Sequence, residues 1–269
     1  MRGSDQGNLL VGLIYCCCAA GTTLAFMGMV NVRTYAGDFA YTNNNGALTI
    51  TGYSGPGGDV TIPSSINGMI VNTIADGSFA WNSTLTKVTI PDSVTALLDG
   101  PLYQAGCLGA FNGCTSLTNV VIGKGLTFLG VGSFNGCSSL LSVYFQGNAP
   151  LEGTYALFNI GPFWGSSLST LYYLPGATGW RTTSYDGRPE ILWNPQMVTG
   201  DLSFGVKQDG FGFNVAGTPG IPLVVEACTT LAGGTWGQLQ NCTLTNGLLY
   251  FSDPQWTNHQ ARFYRIRSP

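Results

Sequence analysis

"FNGCTSL", Phe111 to Leu117, returns almost letter for letter 23 residues later as "FNGCSSL", Phe134 to Leu140. A phrase repeated at a fixed interval marks a chain that winds one supersecondary unit again and again. Working outward from it, alternating runs appear at Asp59 ("DVTIPSSI"), Lys87 ("KVTIPDSV"), Asn119 ("NVVIGKGL"), Ser142 ("SVYFQGNA") and Thr170 ("TLYYLPGA"). Between them lie "GSFAWNSTL" from Gly77, "GAFNGCTSL" from Gly109, "GSFNGCSSL" from Gly132 and a looser "ALFNIGPFWGSSL" from Ala156. Runs this short cannot fold alone. Stacked at one strand per coil they form a parallel ladder in which every inward residue sits on its counterpart in the next coil.

Position within the coil then fixes position in the core, so the same slot demands the same side chain. Alternation along a strand points Val88 and Ile90, Val120 and Ile122, and Val143 and Phe145 inward. Phe79, Phe111, Phe134 and Phe158 are expected to form an aromatic column, and Leu85, Leu117, Leu140 and Leu168 a second one. The Asn-Gly pairs before Cys114 and Cys137 supply a turn that needs positive φ.

"AFNGCTSLTNVVIGKGLTFLGVGSFNGCSSL", from Ala110 to Leu140, resembles the leucine-rich repeats of the BspA type, a family of bacterial surface and secreted proteins. The resemblance covers about Asp59 to Tyr173. It departs at an insertion, "LDGPLYQAGC", at Asn82 where the other units carry Cys, and in the aromatic unit from Ser142. The stretch from Phe39, "FAYTNNNGALTITGYSG", is similar to the cap that precedes such repeats. A cap is expected, because an open solenoid end exposes core and strand edges.

Only 9% of the residues are charged and 39 are glycine, with Thr, Ser and Asn filling much of the rest, as suits a β-rich exterior. The net charge of −3, with three scattered lysines, leaves no basic patch to neutralise phosphates, so a nucleic-acid partner is not expected. Leu9 to Val30 carries no charge. It reads as a secretory signal, cut after Ala36 or after Ala25, or else as an uncleaved anchor, the chain's one expected membrane contact. Residues 1–36 are assigned to this segment, 37–194 to the capped solenoid and 195–269 to a C-terminal β module. In that module short β runs alternate with Gly, Pro and Asn turns, as in a small antiparallel sandwich. The expected fold is mainly β: a short leucine-rich-repeat solenoid followed by a sandwich-like domain.

No catalytic constellation, cofactor or metal site is expected. His259 is the only histidine, in a polar turn, and the three glutamates, Glu152, Glu190 and Glu226, fall in different parts of the chain. No C-x-x-C occurs outside Cys16 to Cys18. Cys114 and Cys137 read as small buried thiols, with Cys107 a second candidate partner for Cys114. Cys228 and Cys242, on neighbouring runs of an exported module, are a candidate disulfide. The alternate residues of the ladder face outward: Thr61, Thr89, Val121, Tyr144 and Tyr172, with Trp164 and Trp180 in nearby loops. Thr89, Val121, Tyr144, Tyr172 and Trp164 are the candidate ligand contacts of an exposed strip for protein or glycan. The alternative is that Tyr144 and Tyr172 pack on the tail. The signal-like segment, the resemblance and the outward strip together imply a secreted or cell-surface interaction module without chemistry of its own. A self-assembling subunit of an extracellular layer or filament is the other reading.

Overall fold

The computed structural model describes residues 34–99, 109–154, 160–168, 170–181 and 188–267. Leu9 to Val30, Cys107 and Phe158 lie outside them. Val60, Val88, Val120, Val143 and Leu171 share one register position in five parallel strands: Gly58–Thr61, Leu85–Ile90, Asn119–Ile122, Ser142–Phe145 and Thr170–Tyr173. This is the ladder that the repeat predicts, in the predicted register. A sixth rung, Glu190–Leu192, extends it by pairing with Thr170–Tyr173.

Each coil carries more than one strand, which corrects the expectation of one. On the opposite side Met69–Ile74, Ala96–Leu97, Phe128–Leu129 and Leu151–Glu152 form a second parallel sheet. Its strands are mostly two residues long, too short to show alternation. A column of threonines helps to hold it, Thr95 Oγ1 donating to Asn72 O at 3.1 Å and Thr127 Oγ1 to Thr95 O at 3.0 Å.

The third side of the coil is a turn, and it too is hydrogen-bonded from coil to coil. The amides of Phe79, Phe111 and Phe134 each donate to the next coil, to the carbonyls of Ala110, Ser133 and Pro162, at 2.8 Å. These bonds fix the aromatic column. Ring centroids lie 4.7 Å apart for Phe79–Phe111, 5.2 Å for Phe111–Phe134 and 5.5 Å for Phe134–Phe163. Phe163 therefore fills the fourth slot in place of the expected Phe158: the loosened unit "FNIGPFWGSSL" offers two phenylalanines, and the later one stands five residues before Leu168, one fewer than the six from Phe to Leu in the other coils. Leu85, Leu117, Leu140 and Leu168 are all buried in the same core. Each phenylalanine so buried contributes about 2–3 kcal/mol relative to exposure.

The N-terminal end is closed by a hairpin, Phe39–Asn44 with Ala47–Tyr53, turned at Asn45 and Gly46, both at positive φ (55° and 92°). That is the Asn-Gly turn whose twist matches paired strands. Tyr53 caps the aromatic column, 5.2 Å from Phe79. Thr34–Ala36 pairs with Phe39–Tyr41 as the outermost strand of the sheet. A cut after Ala36 would remove this strand, and a cut after Ala25 would keep it.

Beyond Trp193 the chain forms two antiparallel sheets. One joins Gln196–Val198, Gly205–Lys207, Gly210–Ala216 and Leu248–Asp253. The other joins Pro222–Cys228, Gly237–Thr243 and Phe263–Arg267. Phe213, Val215, Leu223, Val225 and Phe251 are buried between them, as the alternation of an antiparallel sandwich requires. One turn of 3-10 helix, Trp256–Asn258, precedes the last strand.

Candidate functional site

The outward face of the ladder is not an open strip. Tyr144 and Tyr172, neighbours in register, stack at 4.9 Å and are only 4% and 7% exposed. They belong to the buried cluster of the sandwich, with Phe213, Leu223 and Val225, and Val121, Ile191 and Trp193 pack against it. Trp193 stands nearly perpendicular to Tyr144, and its Nε1–H donates to Pro222 O at 2.8 Å, pinning the tail to the end of the ladder. Tyr144 and Tyr172 are thus not the exposed ligand contacts of one expectation; the other, that they pack on the tail, is what the structure shows. Two apolar surfaces, the aromatic end of the ladder and the open edge of the sandwich, hide each other. Thr89, one rung further from the tail, stays partly exposed.

Two small clefts remain along this seam. One, about 230 Å³, is lined by Val121, Tyr144, Tyr172, Trp193, Ile266 and Arg267. The structure thus gathers three of the five candidate ligand contacts around one cleft. The other, about 240 Å³, lies between Lys87 and Asn119 of the ladder and Asn241 and Arg267 of the tail. Buried Glu226 anchors that side, accepting from Arg265 Nε at 2.7 Å and Arg267 Nε at 2.6 Å. Burial alone would raise its carboxyl, but the hydrogen bonds and charges of Arg267 and Arg265 outweigh burial and hold it below the ordinary range. Lys87 faces the same network, and burial together with Arg267 pushes its ammonium down. The arginines of the last strand and the one just before it therefore serve the fold: Arg262 pairs with buried Asp253, and Arg265 also lies 4.3 Å over the ring of Trp236.

Cys228 and Cys242 do not form the candidate disulfide. In the register of their strands Cys242 lies opposite Leu223, five residues along from Cys228, roughly 17 Å at strand rise. That is far beyond disulfide reach. Cys114 and Cys137 are buried free thiols. Each donates to a carbonyl of a preceding coil, Cys114 Sγ to Phe79 O at 3.1 Å and Cys137 Sγ to Phe111 O at 3.2 Å, and burial pushes both up to about 12. Asn82, in the equivalent slot, instead accepts from the Thr84 and Leu85 amides at 3.1 Å, which accounts for that departure from the repeat.

The acidic residues are dispersed. Asp92 accepts from the Lys124 amide at 3.0 Å and Asp99 from the Val131 amide at 2.5 Å, each bracing one coil against the next. Glu152, Glu190 and Glu226 sit in three different sheets. His259 follows the 3-10 turn and is partly buried. Among the described residues no three His, Cys, Asp or Glu side chains come close enough to hold a metal ion.

The exposed aromatic surface lies on the turn side. Trp81 is 68% exposed and Trp164 52%. The Trp81 amide donates to Asn112 O, the Gly113 amide to Asn135 O and the Gly136 amide to Trp164 O, at 2.8, 2.7 and 3.2 Å. Trp164 therefore stands in the column of Asn112 and Asn135, and Trp81, three coils away or roughly 14 Å of backbone at one strand spacing per coil, begins the adjoining column. Gly113, Gly136 and Gly165 occupy that column at φ of 70°, 67° and 69°, and Trp81 shares their conformation at 63°. For a bulky L-residue this costs about 1–2 kcal/mol. The indole lies over the next glycine: a Cβ on Gly113 would sit 2.4 Å from its ring. Trp81 was not among the expected contacts, although its signal is in the repeat, where "AWN" stands in place of "NGC". Trp164, which was, is exposed but on the side of the coil away from Tyr144. Trp180 stacks on Tyr173 at 5.2 Å and donates to Gly147 O, so it packs rather than presents.

A parallel ladder facing a short-stranded sheet, with a Phe and a Leu at fixed places in every coil, defines a leucine-rich repeat solenoid. Residues 59–160 match the BspA type leucine rich repeat region in six copies. Similar solved structures include a leucine rich repeat protein of T. pallidum, at 25% identity over 52% of this chain and 71% of that one, with a TM-score of 0.36. A leucine-rich repeat protein from Bacteroides ovatus is 22% identical over 54% of this chain and 36% of its own, with a TM-score of 0.38. A leucine rich cell surface protein from Faecalibacterium prausnitzii is 21% identical over 52% and 48%, with a TM-score of 0.29. This chain thus spans about a third to a half of the latter two. No curated protein matches it.

Proposed function

We propose that this chain is an exported, non-enzymatic interaction module that holds a protein or glycan outside the cell. The class of the repeat supports interaction, and the charge-free run from Leu9 to Val30 supports export. The observation that carries the reading is the pair of exposed tryptophans on the turn side. The ladder face, where a solenoid would otherwise receive a partner, is occupied by the chain's own tail. Large apolar side chains left in water on a rigid, regular surface mark an interaction site.

Light scattering over a dilution series tests this against the assembling alternative. A binder stays monomeric at every concentration, whereas growth with concentration would replace the proposal with a self-assembling subunit. Retention of the full chain on an array of immobilised proteins and glycans is the positive test.

A further inference from the structure

We infer that the turn-side column between Trp81 and Trp164 is a binding track for a neutral polysaccharide, whose sugar faces stack on the two indoles. The inference rests on the interaction reading above and narrows it to one surface and one chemistry.

Three observations select that chemistry. First, the turns that build the track carry no charge of their own, and the guanidinium that reaches them, Arg188, is engaged on the carbonyls of Phe163 and Leu168. Residues 77–85, 109–119, 132–142 and 160–168, the four turns that build it, contain no Asp, Glu, Lys, Arg or His. The turns themselves therefore offer a charged ligand no complementary side chain, whereas a neutral sugar needs none. Second, the composition around the indoles is that of a hydroxyl-binding surface. Beside the tryptophan and glycine column run Ser83 and Thr84, Thr115 and Ser116, Ser138 and Ser139, and Ser166 and Ser167, while Asn135 Nδ2 reaches Asn112 Oδ1 at 2.7 Å within the floor. An apolar ring face flanked by hydroxyls and amides offers a pyranose both its stacking plane and its hydrogen bonds.

Third, past the Trp81 indole, which itself covers Gly113, the floor is low at Gly136, and the geometry is held. Gly113 and Gly136 add no side chain, and a Cβ on Gly136 would meet nothing nearer than the Gly113 backbone at 3.8 Å. Trp81 keeps a left-handed backbone that the equivalent coils give to glycine, so its indole lies over that floor at a cost in strain. An outlier of this kind at an exposed position is what a binding surface retains and a purely structural turn does not. Tryptophans whose backbones lie three coils apart ask for a ligand longer than one ring. The seam cleft beside Tyr144, at about 230 Å³, is smaller than the usual range for a ligand pocket.

The test is affinity electrophoresis of the full chain through gels containing hydroxyethyl cellulose, galactomannan or xyloglucan, with polygalacturonate as the acidic control. At least one neutral polymer should retard the chain, polygalacturonate should not, and raised salt should leave the retardation unchanged. Trp81→Gly, which installs the residue the other coils use, and Trp164→Ala should each weaken retention about tenfold, the loss of one stacking contact. The Trp81→Gly variant should unfold at a temperature no lower than the parent, separating lost binding from lost folding. Failure of every neutral polymer to retard the chain, or unchanged retention in both variants, overturns the track. If the chain instead holds a protein through residues other than these tryptophans, the glycan track falls and the interaction reading stands. If it holds neither and grows with concentration, both fall.

Discussion

The rings of Phe111 and Phe134 lie 5.2 Å apart and within 3° of parallel, although a whole coil of chain separates them. Both are fully buried and both are tied through their backbone amides to the next coil. Neither can move without disturbing the other. Phe111→Ala should therefore lower stability by about 3–5 kcal/mol, whereas Phe134→Leu, which keeps most of the volume, should cost less than about 1.5 kcal/mol. Because the two share a contact, the double substitution should not equal the sum of the singles. Urea unfolding of the three variants decides it. Equal, small losses would mean that the column is not where the core resides.

Tyr144 separates burial from binding. It is enclosed between ladder and tail, and its hydroxyl lies near Ser142 without a well-formed hydrogen bond. Burial pushes its phenol up from the ordinary value. Tyr144→Phe removes an unsatisfied polar atom and keeps the ring stacked on Tyr172, so stability should be unchanged or up to about 1 kcal/mol higher. Tyr144→Ala should open a cavity and cost about 3 kcal/mol. Thermal unfolding distinguishes these outcomes. A fully stable Tyr144→Ala variant would mean that the tail does not rest on the ladder.

How far the fold is legible follows from the same geometry. Val60, Val88, Val120, Val143 and Leu171 can be aligned by eye because each obeys the two constraints that leave a trace in sequence: alternation along a strand and recurrence from coil to coil. The second sheet leaves almost none, since a two-residue strand such as Ala96–Leu97 has no period to detect. The tail's occupation of the ladder face is a tertiary fact. Alternation shows that Tyr144 points away from the solenoid core, but not whether water or Phe213 and its neighbours wait there. Trp81 does leave a trace in the sequence: it is the residue that breaks the glycine column, and the break becomes visible only when turns, rather than strands, are aligned.

The pair of arginines on Glu226 makes a pH prediction. The folded carboxyl titrates below its unfolded value, about 4.3, so its contribution is complete above that pH and fades as pH falls through the folded value. Glu226→Gln should lower stability at neutral pH by about 2 kcal/mol, a buried-pair loss reduced by the partial exposure of both arginines. Between pH 5 and 3 the variant should lose less stability than the parent. Parallel stability curves over that window would sink the assignment.

The two column thiols give the last prediction, with the opposite sign. Cys114 and Cys137 are neutral and buried, with folded values raised to about 12 by desolvation, against about 8.5 in an unfolded chain. Their contribution is therefore complete below about pH 8.5 and is lost as pH climbs toward the folded value. At pH 8 a maleimide should leave both unmodified in the native protein and label both in urea, as peptide mapping by mass spectrometry can show. Thiolate, not thiol, is the reactive species, and the native state holds almost none. Labelling of Cys137 in the native chain as fast as in urea would mean that the coil opens beside Phe111, whose carbonyl receives that thiol. The repeat could not then be the rigid stack on which the tryptophan track depends.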